Sequence, residues 1–250
     1  MEKEDITLRI ESGIAWVGIE RGTNKNALTQ RMVLRLTDIA RQLSADAAVR
    51  CVILFGTPEI FSAGIDLKDP EKWANEQLPF AEKRQIARRG PALCKAWEEM
   101  PQLTFAAIEG INVGGGVALT LACDFRIQAE DAHLLMPEVA IGIPLAWQSI
   151  PRLVRLIGPA RAKRCLLWGE RISAAMAHEW GLADEITPSG KAMARAEDLA
   201  KKIAAMPFPA VAMTKESVNA SANALNHMAS FMDADQSMLT MLSGEMKRKP

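Results

Sequence analysis

The chain has 250 residues, of which 49% are hydrophobic and 24% charged, ordinary values for a folded globular protein. Its 30 Lys and Arg balance its 30 Asp and Glu, which argues against nucleic acid or a membrane surface as a partner, since both require basic excess. No apolar run reaches the length of a membrane span, and residues 1–5 are too charged for a signal peptide.

Strand and helix patterns alternate in the first part of the chain. Residues 6–10 and 15–19 predict a hairpin around a Ser-Gly turn, and apolar spacing predicts an amphipathic helix over 29–45. The apolar run 49–55 predicts a strand buried on both faces of a parallel sheet. Later patterns predict a helix over 80–100, a strand over 104–108, a helix over 114–123, and strands over 125–129 and 133–136. This alternation predicts an α/β fold.

After Pro144 the patterns predict helices only, forming a subdomain of the same unit. The helical tail over 210–246 is rich in methionine, which favours core packing or a subunit interface, with a ligand surface as the alternative. The four separated cysteines predict reduced core thiols and a cytoplasmic location. The three histidines are far apart, and the sequence predicts no metal site.

Three segments carry candidate chemistry. Gly114–Gly115–Gly116 stands between a strand and a helix, where free backbone N–H groups can hold an oxyanion, or where glycines simply permit tight packing. Residues 61–67 predict a turn that presents N–H groups and is capped by Asp66. Glu138 lies in an apolar stretch, where burial would raise its pKa toward the range of a proton-shuttling group; a solvated loop residue is the alternative.

In this order the segments resemble the crotonase family, the enoyl-CoA hydratases and isomerases. The resemblance covers nearly the whole chain and rests on eight loose motifs, at residues 21–28, 61–66, 111–116, 122–126, 137–143, 169–173, 180–184 and 214–219. It implies a spiral of ββα turns over residues 1–190 and a C-terminal helical trimerisation subdomain over 191–250. Homotrimers or homohexamers are the implied assemblies.

The resemblance also implies an acyl-CoA substrate whose thioester oxygen is held by two backbone N–H groups. The matching positions are Ile65 and Gly115, with CoA contacts at Lys25, Ala63, Asp66 and Leu67. No cofactor is implied, because CoA arrives as part of the substrate.

Family hydratases carry two glutamates, and here the first of these positions holds Ala118 while the second is Glu138. A single carboxylate can still move a double bond, so the pattern resembles the Δ3-Δ2-enoyl-CoA isomerase branch. Leu145 and Trp147 replace a glycine-rich stretch and are expected to wall the acyl pocket. The alternatives are hydration, decarboxylation or thioester hydrolysis, or a CoA-binding protein without turnover.

Overall fold

The computed structural model describes residues 5–71, 77–230 and 232–242. The strands in these ranges form two sheets. The strands are β1 (Ile6–Glu11), β2 (Ile14–Ile19), β3 (Cys51–Phe55), β4 (Ile60–Ser62), β5 (Leu103–Ile108), β6 (Ile111–Val113), β7 (Phe125–Ala129), β8 (His133–Leu135), β9 (Ile172–Ser173) and β10 (Glu185–Thr187).

The larger sheet has the strand order β1-β2-β3-β5-β7-β10. β1 and β2 form the predicted antiparallel hairpin, and the pairs from β2 to β10 are all parallel. β3 lies between β2 and β5, and Cys51, Val52, Ile53 and Leu54 are fully buried. This confirms the prediction of a strand covered on both faces, for which a continuous apolar run is required.

The smaller sheet has the order β4-β6-β8-β9, with β4, β6 and β8 parallel and β9 antiparallel to β8. From β3 to β4, from β5 to β6 and from β7 to β8 the chain passes from the larger sheet to the smaller one. A helical segment precedes each return to the larger sheet. This is the predicted spiral of ββα turns, and it brings the carboxyl ends of β4, β6 and β8 to one edge.

The helices are α1 (Gln30–Ser44), α2 (Phe80–Ala87), α3 (Arg89–Glu99), α4 (Gly115–Leu121), α5 (Ser149–Leu167), α6 (Ala174–Trp180), α7 (Ala192–Ala204), α8 (Phe208–Ala222), α9 (Asn226–Ser230) and α10 (Asp233–Leu242). The prediction for α1 is confirmed: the Thr29 side chain accepts a hydrogen bond from Met32 N (3.2 Å) and caps the helix. None of the helices in the described ranges has the length and apolar character needed to cross a membrane.

The helix predicted over 80–100 is two helices, because Pro91 has no N–H to donate to the carbonyl of Ala87, the last residue of α2. The expectation of helices alone after Pro144 was wrong, since β9 and β10 add short strands to the two sheets. Two or three residues are too few to show an alternating pattern.

The C-terminal region is helical, as predicted, but its first helix belongs to the core. Ala192, Ala196 and Ala200 of α7 pack on the larger sheet against residues such as Ile53 and Phe105. The division after residue 190 stays a prediction. The methionine-rich tail is divided among α8, α9 and α10, and Met246 lies outside the described residues.

Candidate active site

A cavity of about 690 Å³ opens at the edge where β4, β6 and β8 end. Ile65 follows the end of β4, Gly115 follows the end of β6, and Glu138 follows the end of β8. Because the three strands are parallel neighbours, residues that follow their carboxyl ends lie close together. All three residues line the cavity.

The N–H groups of Ile65 and Gly115 are free to bind a ligand. Leu28 N donates to Gly64 O (2.7 Å) and Asp66 N donates to Leu28 O (2.9 Å), which leaves the intervening N–H of Ile65 unused. The N–H of Gly115 belongs to the first turn of α4, where helical partners are lacking. Within the described ranges, no hydrogen bond from either group is found.

The two amide segments touch each other. A Cβ atom added to Gly64 would lie 2.8 Å from Val113 O and 3.3 Å from Gly115 N, and one added to Gly115 would lie 3.4 Å from Ile65 Cγ1. Gly64 has a φ of +83°, a conformation that favours glycine. Glycine at position 64 therefore allows the two free amides to approach, as the resemblance implied for an oxyanion hole.

Glu138 points its carboxyl group at the same glycine turn. Its Oε1 lies 2.5 Å from where a Cβ atom on Gly114 would stand, and Oε2 is buried without a hydrogen-bond partner in the described structure. The backbone carbonyl of Glu138 accepts bonds from Ile141 N (3.1 Å) and Ile143 N (3.0 Å), which hold the loop. Burial raises the pKa of Glu138 from 4.5 to about 7.

This arrangement puts two hydrogen-bond donors and one base with a near-neutral pKa at the edge of an apolar cavity. Backbone donors of this kind stabilise the oxyanion of a thioester enolate, and a carboxylate of this kind can take the proton whose loss creates it. A model of the family "Enoyl-CoA hydratase/isomerase" matches residues 9–249. The chain belongs to the enoyl-CoA hydratase/isomerase family, also called the crotonase family.

Named relatives agree with this membership. YngF of Bacillus subtilis (strain 168), provisionally named an enoyl-CoA hydratase/isomerase, is 38% identical over 207 residues, covering 82% of this chain and 78% of YngF. The crotonyl-CoA hydratase of Syntrophomonas wolfei is 30% identical, with coverage of 88% and 83%. The crystal structure of an enoyl-CoA hydratase from Bacillus anthracis superposes with a TM-score of 0.80 at 31% identity, covering 96% of this chain and 89% of that one.

At position 118 this crotonase-family chain has alanine where a family site with two glutamates has the first glutamate. Ala118 N donates to Gly114 O (2.9 Å), so this residue lies one turn into α4, and its methyl group is buried against the cavity. Among the described residues that line the cavity, Glu138 carries the sole carboxyl group.

The expected substrate contacts fall into two groups. Ala63, Leu67, Leu145 and Trp147 line the cavity. Lys25 does not; its carbonyl accepts a bond from Ala63 N (3.0 Å), while its side chain is exposed.

Asp66 is likewise not a cavity residue. Its carboxylate binds Arg21 (2.7 Å) and accepts a bond from Lys68 N (2.8 Å), so Asp66 closes the turn that follows it. Burial alone would raise the pKa of Asp66, but these bonds outweigh it and lower the pKa. Contacts of Lys25 and Asp66 with CoA stay predictions.

Sequence reasoning missed the part of the wall that α2 and α10 provide. Phe80 and Ile86 from α2 line the cavity together with Met238 and Met241 from α10. These two methionines support the ligand-surface alternative for the tail, whereas Met213 and Met228 are exposed elsewhere. The described residues contain no cluster of three or more His, Cys, Asp or Glu side chains suited to a metal.

Proposed function

We propose that this crotonase-family chain isomerises a 3-enoyl-CoA to the 2-enoyl-CoA, with Glu138 as the acid and base. The observation that carries the proposal is that Glu138, beside two free amides, is the one carboxyl group among the described residues that line the cavity, with Ala118 at the other family position. Moving a double bond within an acyl chain requires one proton to leave and one to return, which a single carboxylate can do.

The reaction has two proton transfers through one intermediate. The Glu138 carboxylate takes a proton from C2, and the C2–H electron pair delocalises into the thioester, whose oxygen becomes negative. The N–H groups of Ile65 and Gly115 donate to that oxygen; one such donor contributes about 3 to 4 kcal/mol in a comparable site. Protonated Glu138 then returns the proton to C4, and the double bond forms between C2 and C3.

The pKa of Glu138 suits both transfers. A group that first accepts and then donates works best when its pKa lies near the operating pH. Burial raises the pKa of Glu138 to about 7, and Oε2, which has no hydrogen-bond partner among the described residues, is available for the transfer.

Replacing Glu138 with Gln tests the proposal. We expect Glu138→Gln to lower 3-enoyl-CoA turnover by about 10²- to 10⁴-fold, because general acid–base catalysis contributes that much. The control is calorimetric affinity for a saturated acyl-CoA, which should change little. Turnover that is unaffected by the substitution would contradict the role of Glu138.

Hydration is the second candidate, because a 30%-identical relative is named a crotonyl-CoA hydratase. Hydration needs a water that is positioned and deprotonated, and the methyl group of Ala118 does neither. We expect wild type to hydrate crotonyl-CoA much more slowly than it isomerises, and Ala118→Glu to raise hydration at least tenfold. Ala118→Gln is the matched control, of equal size without a carboxylate. Faster hydration than isomerisation by wild type would favour the hydratase instead.

The remaining features of the proposal are a reaction without a bound cofactor, a homotrimer or homohexamer, and a cytoplasmic location. The four free, buried cysteines support a reducing compartment. A panel of 3-enoyl, 2-enoyl and malonyl-type thioesters, with calorimetry alongside, tests decarboxylation, thioester hydrolysis and binding without turnover.

A further inference from the structure

The cavity wall contains a turn with an unusual backbone. Trp147 and Gln148 are consecutive and both have positive φ, +65° and +58°. A residue with a side chain is strained in this conformation, and the conformation persists only where its surroundings hold it. The contacts of this turn therefore identify what holds Trp147 in place.

Arg152 holds the turn from inside the protein. Its Nη1 donates to Trp147 O and to Gln148 O, both at 3.0 Å, and its side chain is 2% exposed. Gln148 N donates to the carboxylate of Asp233, the first residue of α10. All three polar backbone groups named here are thus bonded to charged side chains.

Arg152 is itself held in position by Glu98 of α3. Arg152 Nε donates to Glu98 Oε1 (3.1 Å) and Nη2 donates to Oε2 (2.6 Å), a two-pronged contact that fixes the plane of the guanidinium. Burial alone would raise the pKa of Glu98, but the bonds and charge of Arg152 outweigh it and lower the pKa. Arg155 lies 3.8 Å from Glu98 and has no described bond to the turn.

The turn places the indole of Trp147 between Gly90 and Gly115, whose N–H is one of the two donors of the proposed oxyanion hole. A Cβ atom on Gly90 would overlap indole Nε1, and one on Gly115 would lie 3.1 Å from Cη2. The ring is therefore fixed between the start of α3 and the amide expected to bind the thioester oxygen. It stands beside the space that the first carbons of an acyl chain would occupy.

We propose that Arg152 is a positioning residue that fixes Trp147, and that Trp147 so held excludes acyl groups branched next to the thioester. The inference rests on the proposed acyl-CoA substrate and adds the shape of the acyl group that the site accepts. Arg152 itself does not line the cavity, so it acts through the turn.

Butyryl-CoA and isobutyryl-CoA provide a matched pair, since they are isomers in which one methyl group is attached to C3 or to C2. By calorimetry we expect wild type to bind butyryl-CoA at least tenfold more tightly, a ratio typical of one methyl group in a tight apolar pocket. Trp147→Leu and Arg152→Met should each bring the ratio close to one. Arg155→Met removes a positive charge that lies near the same Glu98, and it should keep the wild-type ratio of the two affinities.

Two further variants separate positioning from general damage. If Arg152 acts through Trp147, Arg152→Met should not change the ratio further when added to Trp147→Leu. Arg152→Lys should restore little, because one ammonium group cannot reach both carbonyls and both carboxylate oxygens. A loss of stability with an unchanged affinity ratio in Arg152→Met would overturn the inference.

The position of the indole has a readout that does not depend on acyl-CoA. The indole ¹H–¹⁵N signal of Trp147, assigned as the one missing in Trp147→Leu, should move in Arg152→Met and stay in Arg155→Met. An unmoved signal in Arg152→Met overturns the positioning role. Failure of wild type to bind either thioester overturns the proposed substrate and the selectivity with it, whereas equal binding of both overturns the selectivity alone.

Discussion

Glu138 combines burial, a raised pKa and a carboxyl oxygen that has no partner in the described parts of the chain. The folded protein holds its carboxyl group at a pKa of about 7, against 4.5 in the unfolded chain, because burial penalises the charged form. Between these two values the folded state binds more protons than the unfolded state. Stability should therefore fall as pH rises through this window.

The pH dependence of stability and of rate tests this account. One pKa unit corresponds to about 1.4 kcal/mol, so ionised Glu138 should cost about 3 kcal/mol of stability above pH 7. Glu138→Gln should thus gain stability relative to wild type from about pH 4.5 to 7, measured by denaturant unfolding. In wild type, kcat/KM for a 3-enoyl-CoA should rise about tenfold per pH unit up to about 7 and then level off.

The difference in the free energy of unfolding between wild type and Glu138→Gln at each pH cancels the contributions of all other titrating groups. A stability difference that does not change with pH would show that the carboxyl group has an ordinary pKa in the folded state.

At the scale of elements, α8 is joined to the sheet by one buried charge. Lys215 Nζ donates to Gln102 O (2.8 Å) and to Asp124 Oδ2 (2.7 Å). The same Asp124 oxygen accepts from Thr104 N (2.8 Å) and Thr104 Oγ1 (2.9 Å) at the start of β5. The helix is therefore docked by a network in which each polar group depends on the others.

Removing the Lys215 charge should destabilise the protein substantially. We expect Lys215→Met to lower the free energy of unfolding by about 3 to 5 kcal/mol, because it leaves the partly buried carboxylate of Asp124 (15% exposed) without its cation. Lys201→Met is the matched control: this lysine is 63% exposed, lies 3.9 Å from Glu197, and should cost less than about 1 kcal/mol. Equal unfolding midpoints for the two variants would contradict a structural role for the Lys215 pair.

At the scale of the whole molecule, the reactivity of the four cysteines measures how well the core is shielded from solvent. All four are free and buried. Burial is the main cause that raises the pKa of Cys51, Cys94 and Cys123 to about 12 and that of Cys165 to about 11. Reactive thiolate is therefore almost absent in the folded state at neutral pH.

A thiol reagent such as DTNB should find no rapidly reacting cysteine in the native protein and four after unfolding. In graded denaturant, the labelling rate should follow global unfolding measured by circular dichroism. Rapid labelling of any thiol in native buffer would show that part of the core opens separately.

Local patterns sufficed for the hairpin, for α1 and for the buried strand β3, because the period of apolar residues is set by which face of each element meets the core. They failed for β9 and β10, which pair over two or three residues. The break between α2 and α3 has a local signal in Pro91, which the spacing of apolar residues does not reveal. The candidate site was located through its motifs, at Ile65, Gly115 and Glu138. Gly90 and Arg152 carried no local signal.

The sequence by itself thus determined the alternation of strands and helices, the crotonase-family membership, and a glutamate at only one of the two family positions, Glu138, with Ala118 at the other. Only the tertiary structure decided that the segments of the two free amides approach at Gly64, that Oε2 of Glu138 has no partner among the described residues, and that Arg152 holds Trp147. The physical reason is the distance along the chain over which each effect acts. Periodicity and turn chemistry act between near neighbours, whereas free amides, burial and buried ion pairs arise between segments that only the parallel strands bring together.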